Sequence, residues 1–221
     1  MKTLLSKAWL PAGLLAVAFV LAACGGAGGG QQGSGSGGGM AGMDHGQMGH
    51  GSMGMGSGEM ARRMVMENGK YSDERFIDAM VPHHQGAIAM AKVALKNAEH
   101  DEIVELSRNI VSTQQAEIEE LKAIKKEEFG TSNVPMEMSS KQMRSMGMMM
   151  DPQHLAQSKV FDKAFIDAMI PHHQSAIEMA KVAKEESENP RIRELAGNIV
   201  SAQEREIAQM KGWRERWYQE G

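Results

Sequence analysis

Phe76 to Ala94 reads FIDAMVPHHQGAIAMAKVA, and the chain contains this stretch twice. It returns as FIDAMIPHHQSAIEMAKVA, Phe165 to Ala183, at an offset of 89 residues. A second stretch, ELSRNIVSTQQAEIEELK from Glu105 to Lys122, returns as ELAGNIVSAQEREIAQMK from Glu194 to Lys211 at the same offset. The chain is therefore a duplication of a two-segment unit with Pro-His-His-Gln at its centre.

The first segment of each copy has the period of an amphipathic helix. The charged side chains gather opposite a stripe of small and apolar residues, and both histidines fall on or beside that stripe. Proline lies inside each helix, at Pro82 and Pro171, where it costs about 3 kcal/mol or more. A kink that aims the histidines inward and a plain bend around the neighbouring helices are both compatible with these prolines. The stripes comprise Phe76, Ala79, Met80, His83, His84, Ala87, Met90, Ala91 and Ala94, and in the second copy Phe165, Met169, His172, His173, Ala176, Met179 and Ala183.

The second segment of each copy is also predicted to be helical. Asn189-Pro190 is typical of a helix N-cap followed by proline in the first turn, and Asp101-Glu102 places acids at the matching start. Short links make each copy an antiparallel helical hairpin. We therefore predict an all-α four-helix bundle of two repeated hairpins. With only 5% aromatic residues and no alternating β-branched run, little room is left for a sheet.

The N-terminal region has the composition of a signal and a tether, not of a fold. Residues 1–23 combine a basic start, an apolar run and small residues before Cys24, and resemble a bacterial lipoprotein signal peptide. We expect Cys24 to be lipidated and to anchor the protein outside the cytoplasm, in the periplasm or at the cell surface; a plain secretory signal is the alternative. Residues 24–58 form a Gly/Ser-rich, disordered tether, and residues 59–221 form the bundle domain, with repeats at about 71–130 and 160–217.

The tether carries a methionine- and histidine-rich tract between Met40 and Met55. Glycine separates the methionines, so the tract has no core for them to fill. Thioether and imidazole donors favour Cu(I), and by similarity Ag(I), over Ca²⁺ or Mg²⁺. The stretch Met43-Asp44-His45-Gly46-Gln47-Met48 also resembles sequences in bacterial periplasmic copper-resistance proteins. The predicted ligands of this tract are Met43, His45, Met48, His50 and Met53.

A second methionine-rich stretch, Met136 to Met150, separates the copies, and ligation and packing are both open for it. After it, one helix is predicted from Pro152 to Glu188. Before the first copy, a short helix is predicted over Glu59 to Asn68.

Charge and cysteine content exclude several classes of function. The formal charge is −4, or −6 once Lys2 and Lys7 are removed, so nucleic-acid binding is not expected. A single cysteine excludes an intramolecular disulfide and a cysteine-rich zinc site. No Ser/His/Asp order, phosphate-binding loop or paired-carboxylate motif supports a hydrolase or a kinase.

The repeated motif Phe-Ile-Asp-Ala-Met-(Val/Ile)-Pro-His-His-Gln-x-Ala-Ile-x-Met-Ala resembles that of the domain of unknown function 305 family, over about Tyr71 to Trp217. The resemblance implies a secreted or periplasmic ferritin-like bundle, and copper binding as in some members. Gly86 and Ala89 stand where the second copy has Ser175 and Glu178, so unequal halves are expected. The positions that the resemblance marks are Asp78, Met80, His83, His84 and Met90, with Asp167, Met169, His172, His173 and Met179.

The sequence therefore predicts a copper-binding or copper-buffering lipoprotein for metal tolerance or delivery. Its expected partners are the metal ion and the membrane, and a metal-exchange protein or a second copy of the chain is also compatible. In an up-down-up-down bundle the two histidine helices would run parallel and bring the four histidines to one level. Two alternatives remain open, namely a ferritin-like di-iron or peroxide-handling enzyme and a structural or partner-binding bundle. The sequence lacks the Glu-x-x-His motifs that a di-iron site uses, although Glu117 and Glu206 occupy equivalent positions of the two copies.

Overall fold

The computed structural model describes residues 57–134 and 152–218. This part of the chain is helical, as predicted, apart from one small hairpin. The signal, Cys24 and the tether up to residue 56, which includes the Met40–Met55 tract, lie outside the described residues, and so does the Met136–Met150 stretch. A first helix already begins at Ser57, within the predicted tether. Within the described ranges, no helix is long and apolar enough to cross a membrane. The elements are α1 (Ser57–Met64), β1 (Met66–Glu67), β2 (Lys70–Tyr71), α2 (Asp73–Asn97), α3 (Asp101–Phe129), α4 (Pro152–Ala156), α5 (Phe161–Glu186) and α6 (Pro190–Trp217).

The helix ends follow the capping signals in the sequence. The Ser72 hydroxyl accepts a hydrogen bond from the Arg75 backbone N–H at the start of α2. The Asn189 side chain accepts from two backbone N–H groups in the first turn of α6, where Pro190 supplies no N–H. At the end of α3, Gly130 adopts a φ of 74°, which glycine tolerates without steric cost. These three boundaries confirm the predicted hairpin ends.

The two hairpins, α2–α3 and α5–α6, pack on each other mainly through the histidine helices α2 and α5. Phe76 and Phe165, at equivalent positions of the repeat, are both fully buried in the shared core. Burial of each phenyl ring stabilises the fold by about 1.5–3 kcal/mol. Both helices continue through Pro82 and Pro171. The core therefore lies on the face that carries the repeated motif.

The two histidine helices are antiparallel, which corrects the expectation that they run parallel. Asp162 at the start of α5 accepts hydrogen bonds from the backbone N–H groups of Glu99 and His100, which follow the end of α2. At the opposite end, the Asn189 amide donates to Glu128, which is near the end of α3. The order is thus up-down-down-up, and the pseudo-twofold axis that relates the copies crosses the helices.

A long connection between α3 and α5 makes this order possible. A helix of the length of α5 spans about 39 Å at 1.5 Å per residue, so the chain must travel the whole bundle before α5 begins. The short helix α4 lies on this path and buries Leu155 against α2 and α5. The up-down-up-down order was expected for two hairpins in simple succession, and the long connection between the copies alters that topology.

The prediction of one helix from Pro152 to Glu188 was also wrong. α4 ends at Ala156, and α5 begins only at Phe161. In the break, the Ser158 hydroxyl and the Gln157 N–H both donate to the His154 carbonyl. A serine that bonds to local backbone competes with continuation of the helix, and it does so here.

The short helix predicted over Glu59–Asn68 exists but lies earlier. α1 ends at Met64, and a two-stranded antiparallel hairpin follows, with Asn68 and Gly69 at φ 50° and 79°. Asn-Gly with two positive φ angles is the preferred two-residue hairpin turn. Arg62 of α1 pairs with Glu178 of α5 at 2.8 Å, so this segment is held against the second repeat.

Candidate metal site

The four histidines of the repeated motif form one layer inside the bundle. His83 and His84 of α2 and His172 and His173 of α5 are all fully buried. The ring centroids of His83 and His172 are 3.8 Å apart, and each ring lies 6.3 Å from its sequence neighbour. The structure therefore brings the predicted imidazoles together, although by an antiparallel crossing.

Ser175 makes the two halves of this layer unequal. His83 Nε2 lies 3.0 Å from the His172 carbonyl oxygen and 2.8 Å from Ser175 Oγ. The Ser175 hydroxyl itself donates to the His172 carbonyl at 2.8 Å. A carbonyl oxygen only accepts, so Nε2 of His83 carries a proton. The first copy has Gly86 at the position of Ser175 and cannot supply this hydroxyl.

The outer two imidazoles each face a glutamate from the second helix of their own hairpin. His84 Nε2 lies 2.9 Å from Glu117 Oε2, although the atoms are not aligned as a hydrogen bond, and His173 Nε2 forms a 2.6 Å hydrogen bond with Glu206 Oε2. These glutamates are themselves related by the repeat offset. Sequence analysis noted that they are in register but did not connect them to the histidines. Their repetition in largely buried surroundings was the available signal.

Several buried polar atoms in this layer have no hydrogen-bond partner among the described residues. They include both ring nitrogens of His172 and the Nδ1 atoms of His84 and His173. The side chains of Gln114 and Gln203, one turn before the two glutamates, are buried and also incompletely paired. Each such atom costs about 1–3 kcal/mol if nothing satisfies it. The interior thus contains buried nitrogen and oxygen atoms that a bound ion could satisfy.

Burial lowers the pKa of His172 well below its usual range, and the nearby imidazoles His83, His173 and His84 lower it further. Desolvation disfavours the imidazolium, and neighbouring positive charge would disfavour it again. His172 is therefore neutral at physiological pH, which is the form that can ligate a metal.

The four predicted methionines are buried near this layer. Met80 and Met169 each precede a histidine by one helical turn, and Met90 and Met179 follow about two turns later. Because α2 and α5 are antiparallel, Met80 shares one end of the interior with Met179, and Met169 shares the other with Met90. Thioether sulfur is therefore available on both sides of the imidazoles.

Asp78 and Asp167 are paired with cations. Asp78 contacts the buried ammonium of Lys125, while Asp167 contacts Arg214 at 2.9 Å and Lys163 at 2.7 Å. Both carboxylates are therefore engaged by cationic side chains.

The tract residues Met43, His45, Met48, His50 and Met53 lie outside the described residues, so their role stays a prediction. Within residues 57–134 and 152–218, no three His, Cys, Asp or Glu side chains form a cluster that could hold a metal ion. A bundle site would therefore need thioether ligands beside the imidazoles. Buried imidazole nitrogens without partners and nearby thioethers fit a soft cation such as Cu(I) better than a hard one.

Fold and site together define a duplicated antiparallel helical bundle with a histidine-rich interior. The chain belongs to the family described as Domain of unknown function (DUF305), whose sequence model matches residues 27–125 and 124–214. This confirms the family resemblance.

Solved structures of CopM share the fold. The Cu(II)-bound form is 40% identical with a TM-score of 0.62, and the Cu(I)-bound form is 42% identical with a TM-score of 0.61. Both matches cover 67% of this chain and 99% of CopM, which was also solved in Ag-bound and apo forms. A DUF305 protein from Streptomyces coelicolor, described as secreted, is 25% identical with a TM-score of 0.57, covering 68% of this chain and 97% of its own.

One curated relative is the uncharacterised protein L153 of Acanthamoeba polyphaga mimivirus. It is 41% identical over 54 residues, which are 24% of this chain and 36% of the relative. The match thus spans only about a third of that relative's length.

Proposed function

We propose that this protein is an extracytoplasmic copper-binding lipoprotein that buffers Cu(I), and by chemical similarity Ag(I), for metal tolerance or delivery. The proposed copper ligands lie in two places, the layer of four buried histidines and the Met/His tract from Met40 to Met55. The proposed role is binding and exchange, not catalysis.

The observation that carries this proposal is His172. Its ring is fully buried, both its nitrogens lack partners among the described residues, and three further imidazoles surround it. A core that only needed to pack would not bury such a group unpaired. A coordinated cation would satisfy the ring and offset its desolvation.

The likeness to CopM supports the choice of metal. CopM was solved with Cu(I), Cu(II) and Ag. It matches this chain at about 40% identity over 99% of the length of CopM and 67% of this chain. Cu(I) is our preferred ion because thioethers favour the softer oxidation state. A lipid on Cys24 would hold the protein in an oxidising compartment, where methionine, unlike cysteine, is not lost to disulfides.

A structural role for the histidines is the competing proposal, and the contacts with Glu117 and Glu206 favour it. Each hairpin has one buried His–Glu pair, which would hold its two helices together without any metal. The two proposals differ in what substitution does. A structural role predicts lost stability with unchanged metal content, whereas ligation predicts lost metal.

The test is a titration of the tag-free mature protein with Cu(I) against a chromophoric chelator. Three variants are compared: one with the tract methionines and histidines replaced by leucine and asparagine, one with His83, His84, His172 and His173 replaced by glutamine, and both together. H154Q is the matched control, because His154 is exposed. We expect each set to remove part of the bound copper and H154Q to remove none.

Copper content that is unchanged by the four histidine substitutions, in a protein that keeps its helical circular dichroism, would refute the bundle site. Iron bound in preference to copper, or turnover of peroxide, would instead favour the ferritin-like enzyme.

A further inference from the structure

The two His–Glu pairs have the arrangement by which proteins orient a metal-binding histidine. Each pair uses Nε2 of the ring and one carboxylate oxygen, at 2.9 Å for His84–Glu117 and 2.6 Å for His173–Glu206. The pairs come from both repeats, and the glutamate is supplied by α3 in one and by α6 in the other. The same arrangement thus occurs at two independent places.

We infer that Glu117 and Glu206 are positioning residues that fix His84 and His173 as the tautomer with the proton on Nε2. Nδ1 of each ring then keeps its lone pair and is the ligating atom. The part of this inference that concerns copper rests on the proposed function. The tautomer itself is a property of the metal-free protein.

The first step of the argument is the proton on Nε2. An ionised carboxylate has no hydrogen to donate, so Nε2 of His173 is the donor in its 2.6 Å hydrogen bond with Glu206. Nε2 of His84 faces Glu117 at 2.9 Å, and we assign it the same proton. A neutral imidazole has only one N–H, and therefore Nδ1 is left as the acceptor. The carboxylate fixes the ring in this way whether or not a metal is present.

The second step is the state of Nδ1. In both rings this atom is buried and has no hydrogen-bond partner among the described residues. An N–H at this position would be a buried donor with no acceptor among the described residues. The lone pair is the less costly state, and a soft cation can satisfy it.

The third step is the common level of the donors. His83 and His172 touch at the centre of the layer, and the rings of His84 and His173 lie 6.3 Å from those of His83 and His172, respectively. His172, with no partner on either nitrogen, neighbours His173 and is a further candidate ligand. Because no three His, Cys, Asp or Glu side chains of the described residues form a cluster that could hold a metal ion, each imidazole would ligate together with thioethers. A carboxylate that holds the far side of a ligating histidine typically accounts for about 10- to 100-fold in metal affinity.

The first experiment reads the tautomers without any metal. The full mature chain is labelled with ¹⁵N-histidine and stripped of metal. Long-range proton–nitrogen correlation spectra then report which ring nitrogen is protonated, with H84Q and H173Q used for assignment. We expect the proton on Nε2 in both residues. A proton on Nδ1, or on both nitrogens, would overturn the inference.

The second experiment uses E117Q and E206Q, whose matched controls are E119Q and E204Q on the exposed faces of the same helices. A glutamine side chain can also donate, so it no longer forces the proton onto Nε2. We expect mixed tautomers and a 10- to 100-fold weaker competition for Cu(I) at the bundle, with the tract variant as background so that only the bundle is measured. The controls should match the unsubstituted protein.

Affinity in E117Q and E206Q that equals that of the controls would overturn the positioning role, even with the expected tautomers. Failure of the unsubstituted bundle to bind copper would refute the proposed function instead. The metal-free spectra would still decide the tautomer, so the two failures are distinguishable.

Discussion

His83 and His172 lie 89 residues apart in the chain, yet their ring centroids are separated by 3.8 Å and their planes are inclined by 45°. This contact crosses the pseudo-twofold axis, so the two repeats meet through the same residue of the motif. His83 reaches a backbone carbonyl and a hydroxyl of the other repeat. The centre of the interface between repeats is therefore polar, and its stability should depend on protonation.

The stability of the metal-free protein should fall as the pH drops below about 6.5, the ordinary pKa of histidine. Burial lowers the pKa of His172 in the folded state, so between that lowered value and 6.5 only the unfolded chain takes up the proton. The contribution is fully present above pH 6.5 and is lost at up to about 1.4 kcal/mol per pH unit below it. Urea denaturation at pH 7.5, 6.0 and 5.0 measures the slope. H172Q should show a shallower slope, and an identical one would contradict the prediction.

The buried ammonium of Lys125 should matter more than its counterpart in the second repeat. Lys125 is 2% exposed and contacts Asp78 and Glu74, whereas Arg214, which contacts Asp167, is 51% exposed. We expect K125M to destabilise the fold by about 3 kcal/mol because it leaves Asp78 without its buried partner. R214M should cost less than about 1 kcal/mol. Chemical denaturation of the two variants tests this, and D78N with K125M should recover part of the loss.

Asp162 should be required for the junction between the repeats. Its carboxylate is buried and accepts from the backbone N–H of Glu99 and from both the backbone and Nδ1 of His100. D162N replaces one acceptor oxygen with a donor, and we expect a loss of about 2–3 kcal/mol. D101N, at an exposed neighbouring position, is the control. Equal melting temperatures for the two variants would show that the junction does not depend on this carboxylate.

Removal of the Ser175 hydroxyl should make the two halves of the histidine layer more alike. S175A deletes a buried hydroxyl that contacts His83 and the His172 carbonyl, and should cost about 1 kcal/mol. S201A removes an exposed hydroxyl that makes a similar bond to the preceding turn, and should be close to neutral. Histidine NMR spectra should also show more similar environments for His83 and His172 in S175A. If these signals are unchanged, the hydroxyl is not the source of the asymmetry.

Copper bound by the tract and copper bound by the bundle should respond differently to acid. A thioether has no proton to gain, whereas a free imidazole is increasingly protonated below about pH 6.5. Lowering the pH from 7.5 to 5.0 should therefore release copper that the tract holds through His45 and His50, and release less from the tract-substituted variant, because burial lowers the pKa of His172 well below its usual range. Metal analysis after gel filtration at each pH measures this. The reverse order of release would contradict the assignment of ligands.

The sequence was enough to predict four long helices, the cap at Asn189, and the place of all four histidines on or beside the apolar stripes. Those features are local, because period and capping chemistry act within a few turns. The direction of α5 relative to α2 was not predictable in the same way. It depends on whether the connection after Gly130 turns back at once or crosses the bundle, and composition does not decide that.

The partners of the histidines were missed for a related reason. Glu117 and Glu206 lie 33 residues from His84 and His173, and nothing in the local pattern joins them. Repetition was the available signal, since a polar side chain that recurs at the same offset as the motif belongs with the motif. The pairing of Asp78 with Lys125, in contrast, required the side-chain contacts themselves.

The pseudo-twofold axis that relates the repeats runs across the helices, so the interior has the same arrangement of groups when it is viewed from either end. From either end of the bundle, the order of chemical groups is the same: thioether, imidazole, imidazole, thioether. An ion would therefore have equivalent surroundings on approach from either end of the bundle, and the repeat itself does not distinguish the two ends. The hydroxyl of Ser175, which stands where the first copy has Gly86 and contacts His83, is a difference between the copies at the histidines themselves and gives the sequence of groups a direction.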